Sequence, residues 1–90
     1  MALTAAAAQV MHNDAAARGK WLVGTLTDID LEYPGRYVGR AHEADHNGGK
    51  LLPGALVARN LAELRAMLPT GLTQHERTSM VPPDVIETWG

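Results

Sequence analysis

The stretch from Leu51 to Pro69, LLPGALVARNLAELRAMLP, constrains the chain more than any other. An apolar run, Ala55 to Ala58, leads into a helix whose start and stop are both marked. Asn60 can accept a hydrogen bond from an early helical N–H, and Glu63, three residues on, can reach back to the cap backbone. Leu61, Leu64 and Leu68 fall at i, i+3 and i+7, so they share one helix face. Pro69 and Gly71 then end the helix. A strand therefore enters a short amphipathic helix, and the rest of the chain must cover its apolar face.

The flanking sequence supplies that cover in a definite order. Thr4 to Arg18 is an Ala-rich block with Leu3, Ala6, Ala7, Val10 and Met11 at helical spacing, and Gly19 follows as a stop. It reads as a helix or a leader over residues 1–19. Ala5 to Ala8 lack a charged segment before a Leu-rich core, which argues against a cleaved signal peptide. Trp21 to Thr27 is rich in β-formers and too short for a helix. Asp28-Ile29-Asp30-Leu31-Glu32 alternates strictly, which in an extended chain puts the three acids on one face. Tyr33-Pro34-Gly35-Arg36 has the Pro and Gly of a type II turn, and Arg36 to His42 reads as a second strand.

Asn47-Gly48 within His46 to Lys50 marks a second turn, since tight hairpins need positive φ angles there. The third strand, Leu51 to Ala58, carries Pro53-Gly54, which predicts a bulge or an edge near its start. After the helix, Thr73 to Ser79 is a polar loop, and Pro82 to Trp89 can make one helical turn with Val85, Ile86 and Trp89 on one side.

The expected fold class is therefore α+β. A three-stranded antiparallel meander packs on one main helix, with an Ala-rich N-terminal helix and a short C-terminal helical turn. Hairpin-length connections cannot make parallel crossovers. Residues 1–90 are expected to form one small domain, with 20–69 as the β-β-β-α core and 70–90 as a loop and docking tail. This element order, over roughly 70 residues, resembles that of small antitoxin domains of the HicB type. With the N-terminal helix added it is similar to that of double-stranded RNA-binding domains. The resemblance is one of element order and carries no functional residue.

Composition narrows the chemistry. Phe is absent and only Trp21, Tyr33, Tyr37 and Trp89 are aromatic, so Leu, Val, Ile and Ala must fill a thin core. Stability can then lean on a partner or on a homodimer. A net charge of −2 gives no drive toward nucleic acid or an anionic membrane. No apolar run approaches membrane-spanning length. With no cysteine there is no disulfide, thiol nucleophile or thiolate metal site, in agreement with a cytoplasmic location. Ser79 is the one serine and lacks a nucleophile-elbow context, and no phosphate-binding Gly-rich loop is present.

Three candidate sites remain. The row Asp28, Asp30 and Glu32 can meet a basic partner surface, hold a hard cation, supply a general acid and base pair or form the solvated face of a half-buried strand. Its availability depends on hairpin register. A three-residue loop would set Glu32 against Arg36 and Asp28 against Arg40, whereas a two-residue loop would put both arginines on the opposite face. The segment His42 to His46 holds two histidines and two carboxylates, ordinary zinc ligands, but Asn47-Gly48-Gly49 makes it a strand end running into a turn. The tail offers Val85, Ile86 and Trp89, either to close the domain's own core or to anchor another chain.

The preferred expectation is a non-catalytic module without metal or cofactor that binds another protein or larger complex. Its contacts are Asp28, Asp30, Glu32, Arg36, Tyr37, Arg40, Val85, Ile86 and Trp89. Small bacterial or phage inhibitors, antitoxin-like proteins and accessory subunits fit that description. The alternative is a nucleic-acid-binding regulator using Arg36 and Arg40 with Arg59 and Arg65 of the helix, Tyr37 being the nearby aromatic.

Overall fold

The computed structural model describes residues 2–79 and 81–90. These described residues form two helices and six strands in the order α1 (Ala5–Ala17), β1 (Trp21–Thr27), β2 (Tyr37–Asp45), β3 (Gly48–Leu51), β4 (Leu56–Ala58), α2 (Leu61–Met67), β5 (Gln74–His75) and β6 (Val85–Trp89). The strands form one antiparallel sheet of order β3-β2-β1-β6-β5, with β4 also paired to β2. The α+β class stands, but the three-stranded meander becomes six strands and the expected element order is replaced. The C-terminal helical turn is a strand instead. Val85, Ile86 and Thr88 are β-branched and Trp89 is aromatic, side chains that suit a pleated surface. They slot beside β1, with Thr25 opposite Thr88 and Gly24 opposite Trp89.

β1 has the span its composition predicts, but the alternation after it does not continue the strand. Residues 28–36 form a loop, and the β1–β2 register sets Thr27 opposite Val38 and Thr25 opposite Arg40, which is neither of the two tight registers. Asp30 is one cause. Its Oδ1 accepts from the Glu32 N–H at 2.9 Å, a local bond that competes with strand pairing. The Pro34-Gly35 turn forms within this loop, with Gly35 at φ 76° and Arg36 N–H donating to the Tyr33 carbonyl at 3.3 Å.

The third strand is split into β3 and β4, both on β2, and the interruption falls at Pro53-Gly54. Gly54 holds φ 85°, and a Cβ there would lie 2.8 Å from the Leu3 side chain, so both conformation and space demand glycine. The β2–β3 turn sits one residue earlier than Asn47-Gly48 suggests. His46 and Asn47 form it, with Asp45 opposite Gly48, and the positive φ falls on Gly48. Asp45 stabilises it by accepting from the Asn47 N–H at 2.8 Å.

Both helices lie on one face of the sheet. In α2, Asn60 caps as expected, accepting from the Glu63 N–H at 2.8 Å, and Leu64 is fully buried. The core gathers Leu26, Leu56, Ala58, Leu64 and Ala8, with Tyr37, Leu61, Leu68 and Trp89 packed against it. Gly39 makes this possible. It lies opposite Leu26, and a Cβ there would come within 3.1 Å of the Leu26 side chain. α1 is an ordered helix capped by Thr4, whose Oγ1 accepts from the Ala7 N–H. Its buried positions are Ala8 and Ala15, with Leu3 and half-buried Met11 on the same side, whereas Val10 is exposed and departs from the face the spacing suggests. Small alanines let the helix approach the sheet closely. Its far end is tied down where Arg18 and Lys20 meet Glu43 of β2.

Candidate protein-binding cleft on the open sheet face

Residues on the face away from the helices include Thr25 and Thr27 of β1 and Arg40 of β2, since Gly24, Leu26 and Gly39 alternate with them toward the core. Loop 28–36 folds back over this face because Arg40 holds it. The Arg40 Nε and Nη2 donate to Asp30 at 2.7 and 3.0 Å, and Nη2 also donates to Glu32 Oε2 at 2.9 Å. The Asp30 side chain is only 11% exposed and that of Arg40 27%, so much of this pair is shielded from water. Two parallel N–H···O bonds to one carboxylate also fix its orientation.

The electrostatics follow from that contact. Hydrogen bonding by Arg40 holds both Asp30 and Glu32 below the ordinary carboxylate range. The two acids in turn raise Arg40. Loss of hydration, then the charge of Glu32, pushes the Tyr33 hydroxyl up. The Arg40 contacts thus favour the charged forms of Asp30, Glu32 and Arg40 at neutral pH.

Between the loop and the sheet lies an open cleft of about 430 Å³. Thr25, Thr27 and Arg40 form its floor, Ile29 to Glu32 one wall, and Asp84 also borders it. The wall presents two apolar side chains to water. Leu31 is 99% exposed and Ile29 is 59% exposed. The alternation of 28–32 hides this, because it puts Ile29 and Leu31 on the core face of a strand. The signal that could have found them is the Asp-x-Glu spacing just before Tyr33-Pro34-Gly35, which suits an Asp side-chain turn as well as a strand.

The nine candidate contact residues are not brought together. Asp30, Glu32 and Arg40 converge in the cleft. Asp28 is exposed at the start of the loop and Arg36 at its end. Tyr37 packs on the helix side, opposite Ala58. Val85 is buried, Ile86 half-buried, and Trp89 rests against the core with its Nε1 donating to Glu87 Oε1 at 3.0 Å.

The other candidates are scattered too. His42 is exposed opposite Leu51, and the ring of His46 stands edge-on to Trp21 at 5.9 Å. Among the described residues no three His, Asp or Glu side chains are grouped to hold a metal ion. Most arginines are engaged within the molecule: Arg18 with Asp14 and Glu43, Arg65 with Glu87, and Arg77 with the carbonyls of Val85 and Pro82. An apolar cavity lies between α1, the sheet and residues 68–72, lined by Leu3, Met11, Leu22, Leu52, Leu68 and Leu72. At about 40 Å³ it is far below the volume a small-molecule site needs.

No protein-family model, no curated protein and no solved structure matches this chain. Among the described residues no helix is long and apolar enough to cross a membrane.

Proposed function

We propose that this chain is a small, non-catalytic, cytoplasmic module that binds another protein or a larger assembly, as an inhibitor, antitoxin-like protein or accessory subunit. The observation that carries the proposal is the exposure of Leu31 beside Ile29 on a loop that is pinned rather than free. Burying a side chain such as Leu or Ile is worth roughly 1.5–3 kcal/mol. A slack loop could recover part of that by folding the side chains onto the protein. The Asp30–Arg40 clamp opposes such collapse, and a preformed apolar projection loses less entropy on docking. The contact surface therefore centres on loop 28–36, and the tail serves the sheet.

The nucleic-acid alternative draws no support from the geometry. Three of its four arginines, Arg40, Arg59 and Arg65, are paired with carboxylates. Affinity capture from the source cells, with mass spectrometry, tests the proposal. The wild-type chain is expected to retain one stoichiometric protein. The double variant Ile29→Ser, Leu31→Ser should lose it while keeping an unchanged thermal melt. Recovery of nucleic acid alone, or of the same protein by both forms, would overturn it.

A further inference from the structure

We infer that the segment seated in this cleft is cationic as well as apolar: a stretch of partner protein that sets Lys or Arg beside an aliphatic or aromatic side chain. The inference rests on the protein-binding reading above and adds the chemistry of the partner. Among the residues lining the cleft, Asp30 and Glu32 are already bonded to Arg40, and Asp84 adds a third carboxylate. Asp28, exposed, adds a fourth acid next to Ile29 in the chain. Arg36 lies at the loop's end and is not part of the lining. Apolar Ile29 and Leu31 therefore stand in a negative rim.

The geometry decides among occupants. An anion would need Arg40, but two of its nitrogens already donate to Asp30 and Glu32, and an incoming phosphate would have to displace a shielded bidentate bond. A second copy of this chain, docked symmetrically, would present the same acids to each other. Like charges brought together at an interface disfavour the contact strongly. A partner with Lys or Arg flanking an apolar group satisfies both parts of the surface, the exposed carboxylates of Asp28 and Asp84 and the leucine on the wall.

The test uses three labelled synthetic peptides of equal length: one with alternating Lys and Leu, one with Glu replacing every Lys, and one with Ser replacing every Leu. Fluorescence anisotropy and amide chemical-shift mapping read the binding. The Lys/Leu peptide is expected to bind at least about tenfold tighter than either other peptide, a difference of about 1.4 kcal/mol. It should shift the amides of Thr25, Thr27, Ile29 to Glu32 and Arg40, and it should weaken as salt is added. The double variant Leu31→Ser, Asp84→Asn should lose about tenfold in affinity with its melt unchanged. Equal binding of the Glu/Leu or Lys/Ser peptide would overturn the inference. So would shifts elsewhere on the molecule, no binding at all, or a dimer in sedimentation that Leu31→Ser dissociates. If the peptides fail while the captured partner still depends on Ile29 and Leu31, the charge inference falls and the protein-binding reading survives. If capture fails as well, both fall.

Discussion

Glu87 is buried to 8% exposure, and its carboxylate accepts from Arg65 Nε and from Trp89 Nε1, each at 3.0 Å. Arg65, chiefly, holds this carboxylate below the ordinary range. The Arg65 side chain, by contrast, is 45% exposed. The two halves of the pair are therefore unequal. Removing Glu87 returns a guanidinium to water it already touches, whereas removing Arg65 strands a charge inside. Glu87→Gln is expected to destabilise by about 1 kcal/mol and Arg65→Met by about 3 kcal/mol in urea titrations at neutral pH. The order of the two variants is the check. In Arg65→Met the carboxyl pKa should rise above its unfolded value, so that variant's deficit should shrink as the pH falls and the carboxyl protonates.

At the scale of elements, α1 depends on how its C-terminal end is tied. Its buried contacts are two alanines, which contribute little area, so the ion pairs at its end matter more than such pairs usually do. Arg18 Nη1 donates to Glu43 Oε1 at 2.7 Å, and Lys20 Nζ stands 3.4 Å from the same oxygen. Arg18, chiefly, lowers the Glu43 pKa from 4.5 to about 2. A depressed carboxyl pKa stabilises the fold above the unfolded value and loses that effect as pH falls through the folded one. Thermal melts of the wild type should therefore decline between pH 4.5 and about 2, and Glu43→Gln should flatten that part of the acid limb. Identical acid limbs for the two proteins would remove the tie from the account. The helix itself was plain in the Ala-rich composition, but the face it buries was only partly so, because apolar spacing includes Val10, which is exposed, and misses Ala15, which is buried.

At the scale of the whole molecule, β6 lies between β1 and β5, so the last residues of the chain are interior to the sheet. Deleting residues 84–90 would expose the β1 edge and the apolar surface that Val85 and Trp89 cover. The truncated chain is expected to show no cooperative thermal transition and to bind a hydrophobic dye. A retained cooperative melt would show that β6 is dispensable. Both helices sit on one face, and the accessible surface, 5649 Å², exceeds the roughly 5,100 Å² usual for a protein of this mass. The excess agrees with both helices lying on one face of the sheet.

The parts of this fold legible in the amino-acid order are those settled within a few residues. The Asn60 cap, the Pro34-Gly35 turn and the break at Pro53-Gly54 each depend on a local hydrogen bond or a single φ angle, and the span of β1 follows its run of β-formers. What the tertiary structure decided depends on partners far along the chain. Val85 to Trp89 satisfies either a helical turn or a strand until β1, some sixty residues earlier, offers it an edge. The alternation of Asp28 to Glu32 likewise reads as a strand until Arg40, ten residues beyond Asp30, captures that carboxylate and turns Ile29 and Leu31 outward. Local propensities there are nearly balanced, and pairing and burial over long range tip the balance. The candidate site lies in that balanced segment. Sequence alone could therefore place its acids but not its exposed leucine.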